Sequence, residues 1–295
     1  MANQLVSVCV TIFNESTENI TKLLDALSNQ TLKPDEIIII DAKDYNNCSR
    51  SKGRNIAIKK AKNEIIAITD CGCIPHKDWL QNITNPFKND DTDVVAGGYK
   101  MIVNNDFQKA ELVFLGVNQN DMKEDFMPSA RSMAFTKTIW KNAGGFPEKL
   151  NDTAEDTVFN LKLIEIGAKF AVSKNAVVDW SLPKNLSEFA TSVYKYAKGD
   201  AKSGIWWHPV KKWQTHNIKL LLIIIRYVIG FWLLVFSLLN NWVLGYLYLL
   251  VLIGTYSLWS FNKARWWGIY LQFISDFSCI IGFSHGILSN CFKRN

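Results

Sequence analysis

The chain has 295 residues, 48% of them hydrophobic, with 33 basic and 27 acidic side chains and a formal charge of +6. That size allows one or two domains with a sizeable core. The six cysteines (Cys9, Cys48, Cys71, Cys73, Cys279 and Cys291) form no CxxC pair and have no histidine at zinc-finger spacing, which excludes a structural zinc and predicts reduced thiols.

From the N-terminus, MANQLVSVCVTIFNES alternates like a strand and then turns polar, unlike the basic, apolar, small-residue order of a signal peptide. The first 200 residues are therefore expected to stay in the cytosol. LVSVCVTIF (5–13) reads as a strand, and residues 16–28 as an amphipathic helix with Ile20, Leu23, Leu24 and Leu27 on one face. Pro34 and Asp35 turn the chain into EIIII (36–40), which ends in Asp41. A helix pattern over Ser51–Lys62 leads to a strand at 64–70, which ends in Thr69-Asp70 and breaks on Gly72 and Pro75. Strand, helix, strand, helix, strand is βαβαβ, and continuous Ile/Val runs predict a parallel sheet covered on both faces, an α/β fold.

Asp41 and Asp70 then stand at the carboxyl ends of two parallel strands, the edge at which open α/β sheets bind ligands. Gly72 lets the backbone approach such a ligand closely. Each Asp serves equally well to start a turn or cap the next helix. Further on, DVVAGG (93–98) reads as a fourth strand and Phe107–Val117 as a short helix. Residues 129–150 hold a short strand and a helix closed by Gly144-Gly145, and the next helix runs from near Thr153 to Gly167. Thr153 followed by Asp156 at the head of an apolar helix also reads as a capping arrangement.

After residue 217 the chain turns apolar: 218–239 carries one central charge, Arg226, and 242–261 carries none, so each is long enough to cross a bilayer. Lys195, Lys198, Lys202, Lys211, Lys212 and Lys219 precede this pair, and Lys263 and Arg265 follow it. That is the positive-inside pattern, and it predicts a transmembrane hairpin with its tip, Asn240-Asn241, facing outward. The basic residues sit beside Trp206, Trp207 and Trp213, so membrane lipid rather than nucleic acid accounts for the charge. The third apolar stretch, 267–288, contains Asp276 and His285 and reads as an interfacial or re-entrant helix; its Gly282 and Gly286 form a GxxxG that allows close packing on another helix. The expected organisation is a cytosolic domain over 1–205 and a membrane-anchoring region over 206–295, integral in the cell membrane.

In sequence order, VSVCVTIFNES, DEIIIIDA, SKGRNIAIKKAKNEIIAITDCGCIP, SMAFTKTIWKNAGGFPEKL and AEDTVFNLKL resemble the family 2 glycosyltransferases with a GT-A fold, over residues 5 to about 205. The resemblance implies a Rossmann-like, mostly parallel sheet with helices on both faces and a nucleotide-diphosphate sugar as donor. Phe13, Glu15 and Asp41 would hold the base and ribose, with Arg54 and Asn55 near the nucleotide. Asp70 takes the place of the first carboxylate of an Asp-x-Asp signature, at the diphosphate and a divalent Mg²⁺ or Mn²⁺. Gly72 replaces the second carboxylate, and Mg²⁺ held by one carboxylate and substrate phosphates is chemically sufficient. Asp156 resembles the catalytic base of an inverting transfer, which removes the proton of an attacking hydroxyl, with Glu155 as an acceptor-side or structural partner. Arg131 and Lys198 are candidates for donor phosphates. The Gln-x-x-Arg-Trp signature of processive members is absent, and the expected acceptor is lipid-linked or another glycan at the membrane. A polyprenyl-phosphate sugar synthase is the nearest alternative enzyme, and a non-catalytic nucleotide-sugar-binding scaffold the alternative of another class. No G-x-G-x-x-G follows the first strand, which sets a Rossmann dehydrogenase aside.

Overall fold

Every residue of β1 (Val6–Ile12) is buried: Val6, Val8, Val10 and Ile12 enter one apolar layer while Cys9 enters a second on the opposite face, as the alternation of strand side chains requires. This is a computed structural model that describes residues 5–89, 91–116, 122–123, 125–150, 153–209 and 212–291. It divides into two units, Met1–Ile102 with Val117–Ser181, and Val103–Gly116 with Leu182–Asn295.

In the first unit, β2 (Glu36–Asp41) and β3 (Ile65–Asp70) flank β1 in parallel. The crossovers are α1 (Thr17–Ser28), whose N-cap Ser16 accepts from the Asn19 N–H, and α2 (Arg50–Lys60), capped in the same way by Ser49. The remaining strands are β4 (Cys73–Pro75), β5 (Val94–Ile102), β6 (Met133–Thr136) and β7 (Phe170–Ser181), in the sheet order β2-β1-β3-β6-β5-β7-β4. β1, β2, β3, β5 and β7 share one direction; β6 and β4 run against it. Leu23 and Leu27 of α1 cover one face together with Trp79, Leu80 and Ile83 of α3 (Trp79–Thr84). Ile58 of α2, Trp140 of α5 (Lys137–Asn142), and Phe159 and Leu163 of α6 (Glu155–Glu165) cover the other. The α/β fold read from the sequence is present.

Two details differ from that reading. β2 is an edge strand, so Ile37 and Ile39 of its unbroken isoleucine run are exposed. β5 continues past Gly98 to Ile102, with a bulge between Gly97 and Gly98. A Cβ on Gly97 would stand 2.0 Å from Ser132 Oγ, the hydroxyl that accepts from Trp79 Nε1 and donates to the Ala176 carbonyl. Only glycine lets the strand pass this bonded serine.

The second unit is helical: α4 (Asp106–Leu115), α7 (Leu186–Ser203), α8 (His216–Leu239) and α9 (Val243–Cys291). α9 is broken at Ala264 and Arg265, where φ/ψ leave the helical region, so it consists of two arms, 243–263 and 266–291. Phe189, Val193, Ala197 and Ala201 of α7 pack with Leu271 and Phe283 of the second arm. A Cβ on Gly282 would lie 2.3 Å from the Tyr194 carbonyl, and one on Gly286 2.6 Å from the Lys198 carbonyl. The GxxxG face is therefore the seat of α7, and residues 182–205 cluster with the second unit. Among the described residues, α8 and α9 are the two helices long and apolar enough to cross a membrane.

Candidate active site

Three strand ends meet at one edge of the sheet. In the β-ladder Thr11 lies opposite Asp70 and Ile12 opposite Asp41, so Asp41 and Asp70 are two strand spacings apart, about 10 Å. Asp41 accepts from the Lys43 N–H at 2.9 Å and caps the short 3₁₀ turn Ala42–Tyr45. Its turn-starting role is thus filled, and its place at the edge is the expected one.

The loop after β1 turns through a left-handed Asn14 (φ 63°). The Phe13 N–H donates to the Glu15 carboxylate, which also accepts from Arg50 at 3.1 Å. The Arg50 guanidinium lies 5.4 Å from the centre of the Phe13 ring. Burial raises the pKa of Glu15 above the ordinary glutamate range, against the opposing pull of the Phe13 N–H and Arg50.

Arg54 is the centre of the cluster. Its side chain is 3% exposed; Nη2 donates to Asp70 and Nη1 to Glu155 at 2.8 Å. The guanidinium stays charged because the two carboxylates outweigh the burial that works against it. For Asp70 burial raises the pKa, yet Arg54, Arg50 and Arg131 more than reverse this and hold the carboxyl below its usual range. The Arg54 side chain is buried, and it joins the end of β3 to the start of α6. Asn55 is bonded within the protein as well. Its amide donates to the Phe146 carbonyl and Glu148 and accepts from Trp140 Nε1 and the Phe146 N–H. These bonds hold the Gly-Gly-Phe turn in place.

Glu155 and Asp156 open α6, but not through a threonine cap. The N-cap is Ala154, at φ 70° and without a side-chain cap bond, a left-handed conformation that costs a non-glycine residue about 1–2 kcal/mol. Strain of this kind persists where the surroundings over-determine it, and here the neighbouring Glu155 is tied to Arg54. Asp156 accepts from the Thr157 N–H at 2.8 Å and from the Ala130 N–H at 3.4 Å. Its carboxylate is thereby aimed along the Ser129–Arg131 segment.

Arg131 lies 4.1 Å from the Trp180 ring centre and 5.2 Å from that of Tyr99. Trp180 pairs with Cys73 across the sheet, so this stack stands beside the Asp70–Gly72 turn. Gly72 itself has φ 99° with nothing within 4 Å of a built Cβ, an open left-handed turn. Burial, first, and nearby acids push the Cys71 thiol up to about 11 and the Cys73 thiol up to about 12, so both are inert at neutral pH. Lys198 belongs to the other unit, on α7, with its ammonium 5.8 Å from the Tyr194 ring centre. The structure thus brings together Phe13, Glu15, Asp70, Gly72, Arg131, Glu155 and Asp156. Arg50 and Trp180 are additions. Arg50 had a signal in the sequence: it stands four residues before Arg54, one helical turn away.

Among the described residues no group of three His, Cys, Asp or Glu side chains is placed to hold a metal ion. The donor set for Mg²⁺ or Mn²⁺ is the single carboxylate of Asp70, one oxygen of which already meets Arg54. Such a set fits only an ion whose remaining ligands are a bound diphosphate and water.

Residues 42–133, which include Arg54, Asp70, Gly72 and Arg131, match the family described as Glycosyl transferase family 2. Over that stretch the chain is similar to the family 2 glycosyltransferases. Asp41, Glu155 and Asp156 lie outside the matched stretch. Glycosyltransferase AglE of Haloferax volcanii is 27% identical over 49% of this chain, which spans 57% of that relative's length. Among solved structures, S. aureus TarS 1-349 in complex with UDP is 20% identical and overlays at a TM-score of 0.46, covering 72% of this chain and 69% of that one. S. aureus TarS without that truncation overlays at 0.47 with 21% identity, over 65% of this chain and 39% of that one.

Proposed function

We propose that this protein is a family 2 glycosyltransferase that moves a sugar from a nucleoside diphosphate donor to a lipid-linked acceptor at the membrane, with inversion at the anomeric carbon. The observation that carries the reading is the Arg54 clamp, which joins Asp70 to Glu155 and so sets the diphosphate end and the base end of one site in fixed register. In this account the acceptor oxygen attacks the anomeric carbon, the bond to the diphosphate breaks, and Asp156 takes the acceptor's proton. Preorganisation supports that role, because two backbone N–H groups hold the Asp156 carboxylate in place. Arg50 and Arg131 are placed to meet negative charge near Asp70 and to stabilise the departing diphosphate. A divalent ion, when bound through Asp70 and the diphosphate, would offset the same charge. Phe13, Glu15 and Asp41 line the part of the edge suited to the nucleoside.

The apolar helices α8 and α9 support a membrane-anchored enzyme with its first unit in the cytosol. The test is a panel of UDP- and GDP-sugars given to the purified full chain, read by released nucleoside diphosphate. One donor is expected to be turned over by the wild type and not by Asp156→Asn. If nucleoside diphosphate binds and no donor is consumed, the protein is a nucleotide-sugar-binding scaffold. Transfer that survives Asp156→Asn and is directed at a lipid phosphate identifies a polyprenyl-phosphate sugar synthase, because a phosphate acceptor needs little base catalysis.

A further inference from the structure

The second unit contains a charged cluster that the transfer reaction does not use. Asp276 is the only acidic residue between His216 and Asn290, against Lys219, Arg226, Lys263 and Arg265. Three helical segments converge on it. Its carboxylate is 3% exposed; one oxygen accepts from Arg226 Nη2 at 2.7 Å, Tyr227 at 2.9 Å and Tyr256 at 2.5 Å, and the other from Gln272 at 3.0 Å. Gln272 in turn accepts from Lys263 Nζ at 3.0 Å. The line Lys263–Gln272–Asp276–Arg226 therefore carries two cations and one anion, and the anion is saturated by four donors.

Neither cation is buried away. The Arg226 side chain is 46% exposed, between Leu222, Ile225 and Ile229, which are themselves exposed. The Tyr256 ring lies under its guanidinium at 4.5 Å and the Tyr227 ring at 5.1 Å. Of the five guanidinium N–H donors, those on Nη2 face Asp276 and the Tyr256 hydroxyl. Lys263 stands 3.3 Å from the Trp259 ring centre, and Gln272 occupies one of its three donors. Arg265, at the break in α9, lies over Phe261.

We propose that Arg226 and Lys263 bind the phosphate of a lipid headgroup. A surplus cation among exposed apolar side chains is unfavourable without a counter-charge, and the anion available to helices solvated by lipid is the headgroup phosphate. Basic sites between membrane helices take such headgroups. Asp276 then acts as the post that holds Arg226 in position, and the two tyrosines and Gln272 fix the post. Trp259 beside Lys263, at the end of the expected hairpin, is the aromatic setting found at headgroup depth, which the long Arg226 side chain, deeper along α8, reaches by snorkelling. The inference does not rest on the transferase reading, since the phosphate belongs either to a bilayer phospholipid or to a polyprenyl phosphate of the acceptor class.

The test is native mass spectrometry of the full chain released from phosphatidylcholine nanodiscs that contain either phosphatidylglycerol or polyprenyl phosphate, with inorganic phosphate as a third arm. The wild type is expected to retain the phosphate lipid over phosphatidylcholine. Lys263→Gln, which leaves the Arg226–Asp276 contact intact, lowers retention about fivefold, the usual effect of one basic residue at a membrane surface, and Lys263→Arg restores it. Arg226→Lys is expected to bind better than Arg226→Gln. Preference for phosphatidylglycerol assigns the site to bilayer lipid, and preference for polyprenyl phosphate assigns it to the acceptor. Equal retention by wild type and a Lys263→Gln variant of unchanged melting temperature overturns the proposal. So does retention of inorganic phosphate as strong as that of either lipid, or no excess over phosphatidylcholine.

Discussion

Replacing Arg54 by methionine keeps the volume of a 3%-exposed side chain and removes the one cation shared by Asp70 and Glu155. Taking one partner from a buried ion pair costs about 3–5 kcal/mol, because the remaining charge is left without a counter-ion. Asp70 and Glu155 are 25% and 12% exposed, so water relieves part of this, and a loss of about 3 kcal/mol is expected. At about 2–4 °C per kcal/mol for a domain of this size, the melting temperature falls by about 6–12 °C. The sign of the pH dependence follows from Asp70. Its folded-state pKa lies below the ordinary value, so its stabilising contribution is complete above the unfolded value of about 4 and is lost as pH falls through the folded one. In Arg54→Met the contribution is absent, and the orphaned carboxylates gain by protonation. The gap between wild type and variant is therefore widest near pH 7 and narrows towards about pH 4. Thermal unfolding in detergent, followed by near-UV circular dichroism at both pH values, measures it. A variant that melts within about 2 °C of wild type near neutrality, or a gap independent of pH, would refute the clamp as the element that holds the site together.

Asp156→Asn should lower the turnover of a hydroxyl acceptor by about 10²–10⁴-fold and leave nucleoside diphosphate affinity unchanged, a split read by steady-state kinetics beside calorimetry. Ala154→Gly removes the left-handed strain before α6 and should raise thermal stability by the equivalent of about 1 kcal/mol. Glu111 is fully buried with no hydrogen-bond partner for either oxygen among the described residues, and burial, with Glu188 second, pushes it up to about 7. A carboxyl with a raised folded-state pKa loses stabilising effect as pH climbs from about 4 to about 7. Glu111→Gln should therefore melt higher than wild type above that window and close to it below, in a pH series of melting curves. Gly286→Leu forces a side chain against the Lys198 carbonyl 2.6 Å away and should cost about 1–3 kcal/mol; Gly254→Leu, with nothing within 4 Å, should be neutral.

The strand and helix order of the first unit was legible because its signals are local: the β-rich run of β1, the apolar spacing of α1, and a glycine pair closing α5. The acids at the strand ends were legible for the same reason, since parallel crossovers put strand carboxyl ends at one edge. What eluded the sequence reading depends on distant partners. The bonds of Asn55 to Phe146 and Glu148 span a separation that no spacing rule reaches. Glu155, one of the two carboxylates that Arg54 joins, is likewise distant in the sequence. β6 runs against β3 because it fills a gap between two parallel pairs, and nothing in Met133–Thr136 encodes direction. The apolar face of α7, with Phe189, Val193 and Ala197, packs with residues far downstream.

The most direct test of the account is a crystal structure of the full chain with a nucleoside diphosphate bound. The account predicts the diphosphate within hydrogen-bond reach, about 3 Å, of the Arg131 guanidinium beside Asp70, with the Asp156 carboxylate facing the vacated sugar position across the Glu155–Arg54–Asp70 clamp. A nucleotide seated away from the Asp70–Gly72 turn, or an Asp156 carboxylate walled off from the diphosphate by packed side chains, would contradict it.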